Sequence, residues 1–185
     1  KQLEVMAQLA REHVVEVAST FMGAHAVPPE YKGRTDEFVA YLLETVLPLV
    51  AESKLAEFCD VFCEKGVFTV EQSRQLLLAA QRMGMKAKVH ADEIVSFGGA
   101  ELSAEIGAVS AEHLLHASDE GIRRMGEAGV IAVLLPATAF CLRENYARAR
   151  FMIDHGVPVA LATDFNPGSC FTESIPLVIA LAALY

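Results

Sequence analysis

The chain has 185 residues, 53% hydrophobic and 21% charged, a composition that can bury a core and predicts one globular domain over residues 1–185. Its net charge of −9 argues against nucleic acid or an anionic membrane surface as a partner. No apolar stretch reaches the roughly 18 residues of a membrane span and no signal peptide is visible, so a cytoplasmic location is expected. The chain opens on Lys1 and closes on an uncapped apolar run, which indicates that both ends are cut from a longer sequence.

Strands and helices are predicted to alternate along the chain. Apolar, β-rich runs predict six strands, at Val14–Phe21, Glu57–Phe62, Lys86–His90, Val109–His113, Val130–Leu135 and Val157–Asp164. After the first of these strands, a helix is expected from about Asp36, and Pro48 should kink or end it. Thr69 opens a T-x-x-Q capping box, which predicts that the next helix begins there.

Glycines mark where the later helices are expected to end. Gly84, Gly107, Gly129 and Gly156 each follow a helical stretch and precede an apolar run, and they lie 22 to 27 residues apart. That spacing fits one strand and one helix per unit. The strands are apolar throughout rather than alternating, as expected for a parallel sheet covered on both faces. We therefore predict an α/β fold, an incomplete (β/α)8 TIM barrel of about six units. The rival, an open doubly wound sheet, would need a glycine-rich phosphate loop that no strand here carries.

Ionisable residues stand at three of the predicted strand ends. His90, His113 and Asp164 each close an apolar run, and the C-terminal ends of barrel strands meet on the face where catalytic loops lie. Imidazole and carboxylate are ligands that zinc or iron accepts. Glu93 would face the same cavity if a helical turn begins after His90, and it could then carry a proton from the attacking water to a leaving group. The pattern predicts a hydrolytic metal centre.

Each of these residues alone has a plainer explanation. A single histidine at a strand end is more often buried and bonded to backbone, and Glu93 could be a carboxylate at a helix N-terminus. Asp164 could cap the turn that follows it. His116 lies beside His113 and is a second candidate for the inward position. The arrival of four such groups at equivalent positions is what favours the metal centre.

The turn after Asp164 is the sharpest local signal in the chain. Asn166, Pro167, Gly168 and Ser169 follow the strand directly, and such a turn can offer amide donors to a substrate carboxylate. Gly168 would let the backbone approach a ligand closely. His25 ends another apolar run, and it could contact substrate or anchor the long loop behind it.

Taken together, these stretches resemble the imidazolonepropionase family of the amidohydrolase superfamily. The matching segments, in the family's order, are TFMGAHAVPPEY, EFCDVFCEKGVF, KVHADE, SAEHLLHASDEGI, AVLLPATAFCL and VALATDFNPGSCF. HADE and ATDFNPGS are the most diagnostic of them. The resemblance covers nearly the whole chain and implies a TIM barrel of the metal-dependent hydrolase type.

The resemblance also implies a reaction and the residues that carry it. The family hydrolyses the ring amide of 4-imidazolone-5-propanoate to N-formimino-L-glutamate in histidine degradation, with one divalent metal ion, zinc or iron. His90 and Asp164 match metal ligands, and Asp164 would also deprotonate the attacking water. Glu93 and His113 match the catalytic pair, Glu93 as acid and base and His113 polarising the ring carbonyl. The residues that match substrate contacts are His25, Glu93, Asn166, Gly168 and Ser169.

The chain lacks several features of the family pattern. The family's other two metal ligands form a His-x-His pair that is absent from these residues, as are its substrate-binding Arg and Tyr and its small β-sandwich. We therefore expect the parent protein to be the enzyme and this segment to be incomplete. The alternatives are a related amidohydrolase, such as a deaminase or cyclic amidase, and a non-catalytic half-barrel. A small-molecule substrate is the expected partner, and a homodimer is left open.

Overall fold

A six-stranded parallel sheet, with its strands in sequential order, forms the centre of the molecule in the computed structural model, which describes all residues from Lys1 to Tyr185. The strands are β1 Thr20–Ala24, β2 Phe58–Cys63, β3 Lys86–Ala91, β4 Ser110–His113, β5 Ile131–Leu134 and β6 Val159–Leu161. A doubly wound sheet reverses its strand order at one point, whereas a barrel adds each strand beside the previous one. The order found here confirms an incomplete barrel and excludes the doubly wound alternative.

Helices connect the strands and cover one face of the sheet. They are α1 Gln2–Glu12, α2 Thr35–Tyr41, α3 Leu47–Ser53, α4 Val70–Arg82, α5 Gly99–Glu105, α6 Asp119–Ala128, α7 Pro136–Leu142, α8 Ala149–Asp154 and α9 Ile175–Leu184. The predicted capping box is confirmed, because the Thr69 hydroxyl accepts from the Gln72 amide and the Gln72 side chain accepts from the Thr69 amide. No helix combines the length and the apolar character that crossing a bilayer requires.

The kink predicted at Pro48 takes the form of a π-helical turn. Leu42–Val46, between α2 and α3, has i→i+5 bonding, and Pro48 occupies the first turn of α3. Proline lacks an N–H and its ring clashes with the carbonyl four residues earlier, so the wider turn relieves that clash without ending the helix. The helix continues to Ser53 and stops at Lys54, which is left-handed at φ 53°.

Two predicted strands are misplaced at their ends. The first was expected at Val14–Phe21 but β1 begins at Thr20, and Val14 is 97% exposed in the connection from α1. The last was expected to reach Asp164, but β6 ends at Leu161 and the next three residues run beyond the ladder. Apolar character alone cannot locate a strand end, because the ladder stops where the neighbouring strand stops offering hydrogen bonds.

The two faces of the sheet differ in chemistry. Small apolar side chains such as Val61, Val89 and Ala111 are fully buried against the helices. The opposite face, which would line the barrel interior, carries Asp60, Lys88, His90 and Glu112, where the prediction was apolar character on both faces.

One close approach brings α5 onto β3. A Cβ added at Gly99 would lie 2.7 Å from the Cβ of Ala91, so only glycine lets this helix start so near the strand. The approach matters for function because the loop between β3 and α5 carries Glu93.

Candidate active site

Three of the predicted site residues meet at the C-terminal ends of β3 and β4. The rings of His90 and His113 lie 5.2 Å apart between centroids, and His113 Nε2 lies 3.5 Å from Glu93 Oε2. All three side chains are largely withdrawn from water. His116, the competing histidine, lies in the following loop, where its backbone N–H donates to the carbonyl of Asp92.

Left-handed backbone at the strand ends aims these side chains. Asp92, His113 and Asp164 have φ values of 50°, 71° and 51°, although none is glycine. Asp and His visit this region more readily than most residues, but each such residue is strained, and strain of this kind concentrates at functional sites. Ala111, two residues before His113, packs against the helices, and regular strand alternation would point His113 the same way. The left-handed backbone at His113 breaks that alternation, and its imidazole reaches Glu93 instead.

Glu93 reaches the site by a different route from the one expected. The sequence predicted a helical turn directly after His90, but residues 92–95 form bends and α5 begins only at Gly99. The left-handed conformation of Asp92, rather than helical periodicity, directs Glu93 towards His113. Glu93 was expected to face the same cavity as His90; it lies beside His113, at the next strand end, without the expected helix.

Two buried carboxylates hold the loop on either side of Glu93. Asp92 Oδ1 accepts from the amides of Phe97, Gly98 and Gly99, and its Oδ2 accepts from Ala100. Glu64, which follows β2, accepts from the amide of Ile94 at 2.8 Å. Neither carboxylate is exposed at all. The sequence analysis missed both residues, since an acid beside a strand end gives no indication of which distant amides it will bind.

The surroundings of Glu93 and His113 set their charge. Burial raises the pKa of Glu93 from 4.5 to about 6, the charge of His90 works against that rise, and the charges of Asp164 and Glu64 add to it. Burial and the nearby charge of His90 lower the pKa of His113 to about 3. At neutral pH, Glu93 can therefore gain or lose a proton readily while His113 stays an uncharged imidazole.

Asp60 is a site residue that the sequence analysis did not find. It lies on β2, and its Oδ1 is 2.8 Å from His90 Nδ1 and 3.2 Å from His25 Nε2. Burial opposes its charge, but the hydrogen bonds from the two histidines outweigh burial and hold the pKa of Asp60 well below its ordinary value. The available signal was an acid inside the apolar run FCDVFC, at the inward position of an alternating strand.

The residues at the site fit a metal ion. His25, Asp60 and His90 offer donor atoms that all lie within 4.8 Å of one another. Imidazole nitrogen and carboxylate oxygen are the donors that zinc and iron take in hydrolytic sites. With Nδ1 of His90 bonded to Asp60, its Nε2 is the nitrogen left for a cation.

Asp164 lies three residues beyond the end of β6, the last strand of the sheet. Its Oδ2 accepts a hydrogen bond of 2.9 Å from the hydroxyl of Thr138, which is buried at the start of α7. The negative charge of Asp164 adds to the rise that burial causes in the pKa of Glu93. Because all six strands are parallel, His90, His113 and Asp164 stand at or beyond the carboxyl ends of their strands, and those ends share one edge of the sheet.

The turn after Asp164 differs from the expectation in its hydrogen bonds. The amide of Gly168 donates to the Asn166 side chain at 2.8 Å, and the amide of Ser169 donates to the Asn166 carbonyl at 3.2 Å. Both amides are therefore engaged within the turn rather than offered to a ligand. The side chains of Asn166 and Ser169 are the polar groups that the turn leaves for a substrate.

The raised pKa of Glu93 predicts a pH-dependent stability that one substitution removes. The folded chain holds the Glu93 proton more tightly than the unfolded chain does. The stability gained from this proton is complete below pH 4.5 and is lost as the pH rises through about 6. Glu93→Gln should therefore change the free energy of unfolding of the metal-free chain more favourably at pH 7 than at pH 4, and the difference should be at most about 2 kcal/mol. Urea unfolding at both pH values measures this difference. The exposed Glu120→Gln serves as the control, and a pH-independent effect of Glu93→Gln would contradict the assignment.

The sequential parallel strands and the helices between them define an incomplete (β/α)8 barrel, the architecture that amidohydrolases share. Solved structures agree on the fold: an adenosine deaminase from Xanthomonas campestris with bound zinc superposes with a TM-score of 0.68 at 16% identity, covering 98% of this chain and 44% of that one. A guanine deaminase from C. acetobutylicum gives a TM-score of 0.66 at 16% identity, covering 97% of this chain and 46% of that one. At such identities the likeness concerns architecture alone.

Sequence relatives identify the family within this class. The chain is 65% identical over its whole length to an imidazolonepropionase of Clostridium tetani and 63% identical to one of Bacteroides thetaiotaomicron. It covers 44% and 45% of those two proteins, so it spans less than half the length of the curated relatives it matches. No family model matches the chain. The resemblance found in the sequence is confirmed, and the chain belongs to the imidazolonepropionase family.

Proposed function

We propose that residues 1–185 are one partial catalytic domain of a metal-dependent hydrolase that opens the ring amide of 4-imidazolone-5-propanoate to N-formimino-L-glutamate in histidine degradation. The observation that carries the proposal is the meeting of His90, Glu93 and His113 at adjacent strand ends, in a chain 65% identical to an imidazolonepropionase. A cytoplasmic location and the absence of nucleic-acid or membrane partners remain predictions, and a homodimer is left open.

The metal would be zinc or iron, held by His90 and Asp164. Both residues keep a free donor atom, because Asp60 engages only one nitrogen of His90 and Thr138 engages only one oxygen of Asp164. Bound there, the ion would act as a Lewis acid and lower the pKa of water towards about 7. A site needs its full ligand count, so these two residues require further ligands from elsewhere for tight binding.

The proton transfers are assigned to three residues. Asp164 takes a proton from the attacking water, whose oxygen bonds to the ring carbonyl carbon. His113, uncharged because burial lowers its pKa to about 3, donates a hydrogen bond to the carbonyl oxygen as charge builds there. The carbon–nitrogen bond of the ring then breaks, and Glu93 delivers its proton to the departing nitrogen. A pKa of about 6 suits that step, since a proton carrier works best near the operating pH.

Substrate contacts are proposed for His25, Glu93, Asn166, Gly168 and Ser169. His25 lies edge-on to His90 with ring centroids 4.5 Å apart, which supports a position beside the reacting ring. For the propanoate carboxylate, the Asn166 amide and the Ser169 hydroxyl are better donors than the turn amides, since those amides are already bonded within the turn.

A related deaminase or cyclic amidase is the second enzyme candidate, and a non-catalytic half-barrel is the third. The structural neighbours include deaminases, but their 16% identity supports only a shared barrel. Relatives at 57–65% identity over the full chain are imidazolonepropionases, which favours that chemistry.

A chimera tests the proposed function. Residues 1–185 replace the matching stretch of the Clostridium tetani relative, so that the remaining strands and ligands are supplied. We expect the purified chimera to hold about one zinc or iron ion per chain and to turn over 4-imidazolone-5-propanoate but not adenine, guanine or cytosine. Deamination of a nucleobase would favour the second candidate. A folded, metal-loaded chimera inactive on every substrate would favour the half-barrel.

A further inference from the structure

Asp60 is a buried acid on the inner face of the sheet, and one of its oxygens touches two imidazoles. It is 2% exposed, and Oδ1 alone lies 2.8 Å from His90 Nδ1 and 3.2 Å from His25 Nε2. The two histidines come from different elements, since His25 follows β1 and His90 lies on β3. Asp60, on the strand between them, joins a proposed metal ligand to a proposed substrate contact.

We infer that Asp60 is a positioning residue that holds His90 and His25 in opposite tautomers. The inference rests on the proposed function only in treating His90 as the metal ligand. An ionised carboxylate can only accept hydrogen bonds, and a neutral imidazole carries its proton on one nitrogen. The nitrogen of each ring that faces Asp60 must therefore bear the proton.

The consequence differs between the two rings. In His90 the proton lies on Nδ1, so the lone pair on Nε2 is free for a metal ion. In His25 the proton lies on Nε2, so Nδ1 becomes a hydrogen-bond acceptor, suited to an N–H of a substrate ring. A carboxylate behind a ligating histidine fixes ring orientation and tautomer, and its loss typically weakens metal binding about 10- to 100-fold.

Neighbouring charges leave Asp60 free for this role. Lys88 is its register partner on β3, yet the Lys88 ammonium pairs with Glu112 at 3.0 Å. Glu112 is also held by the hydroxyl of Ser110 at 2.6 Å. Lys88 is thus paired with another acid, and the hydrogen bonds of Asp60 are those to the two histidines.

Direct coordination by Asp60 is the competing arrangement. The donor atoms of His25, Asp60 and His90 lie within 4.8 Å of one another. An ion that replaced the hydrogen bond between Asp60 Oδ1 and His90 Nδ1 would bind His90 through Nδ1. The two arrangements therefore differ in which nitrogen of His90 bears the metal, and that nitrogen is measurable.

Nitrogen-15 NMR of histidine-labelled protein tests the tautomers without metal or activity. In the metal-free 185-residue chain, above the titration of both histidines, we expect His90 in the Nδ1–H form and His25 in the Nε2–H form. Asp60→Asn keeps an acceptor oxygen and should preserve both tautomers, whereas Asp60→Ala should release His90 to a mixture. Glu120→Gln removes an exposed acid of α6 that lies outside the site, so it should change neither tautomer. His90 found as Nε2–H in the unsubstituted chain would overturn the inference.

Zinc binding to the chimera completes the test. Zinc should attach to Nε2 of His90, with affinity falling about 10- to 100-fold in Asp60→Ala, less in Asp60→Asn and not at all in the exposed Glu120→Gln. Attachment to Nδ1, or unchanged affinity in a folded Asp60→Ala, would overturn the positioning role. If Asp60→Ala fails to fold, two measurements still test the positioning role: which nitrogen of His90 bears zinc, and the zinc affinity of Asp60→Asn. The tautomers of the metal-free chain are independent of turnover, so an inactive chimera would refute the proposed reaction without touching this result.

Discussion

Asp164→Asn in the chimera is expected to lower kcat for 4-imidazolone-5-propanoate at least about 1,000-fold, the range of a lost proton acceptor in catalysis. The substitution keeps the shape of the side chain and one oxygen for the hydroxyl of Thr138, so the fold should be unaffected. It removes the negative charge and the basic oxygen that the proposed metal centre needs. Steady-state kinetics and metal content on the same preparations measure both effects.

Asp119→Asn provides the matched control for that loss. Asp119 is an exposed acid at the start of α6, paired with Arg148 at 2.6 Å, and it takes no part in the site. Its conversion to Asn should leave kcat within about a factor of 2, as expected for a surface change worth less than about 0.5 kcal/mol. An Asp164→Asn protein that keeps more than a tenth of its activity would remove Asp164 from the mechanism.

Asp92→Ala is expected to cause the largest loss of stability among single substitutions at the site, about 3 kcal/mol or more. Four backbone amides, those of residues 97 to 100, donate to this one carboxylate, and alanine would leave them without an acceptor in the interior. Alanine would also have to adopt a φ of 50°, which costs about 1 kcal/mol more. The free energy of unfolding in urea is the measurement.

Two variants define what the loss means. Asp92→Asn keeps one acceptor oxygen and tolerates left-handed backbone, so its destabilisation should fall between wild type and alanine. Asp154→Ala removes an exposed acid of α8 and should change stability by less than about 0.5 kcal/mol. If Asp92→Ala matched Asp154→Ala, the loop that carries Glu93 would not depend on the Asp92 carboxylate.

Much of the architecture could be predicted because its signals are local. The capping box at Thr69 and the helix-ending glycines are patterns of a few residues, and both are found where expected. The four predicted strands from Glu57–Phe62 to Val130–Leu135 lie within a residue of β2 to β5. The misplaced first strand shows the limit of such signals, since Val14 and Val15 are apolar but exposed, and pairing begins only at Thr20.

The site was only partly predictable for a related reason. His90, His113 and Asp164 could be found because each closes an apolar run, and the ends of parallel strands share one face. Asp60 lies within a run rather than at its end, and so was missed. Glu93 was expected on a helical turn, whereas its direction depends on the left-handed backbone of Asp92 and on the distant carboxylate of Glu64.

The sequence by itself determined the alternation of strands and helices, the family and the residue types at the strand ends, because each depends on neighbours along the chain. Only the tertiary structure decided that Asp60 lies between His90 and His25, and that Glu93 holds its proton to about pH 6 while His113 stays uncharged. Those properties depend on the distances between side chains more than 20 residues apart in sequence and on the exclusion of water around them. Proton affinity and hydrogen bonding respond to that environment, which no local pattern of residues specifies.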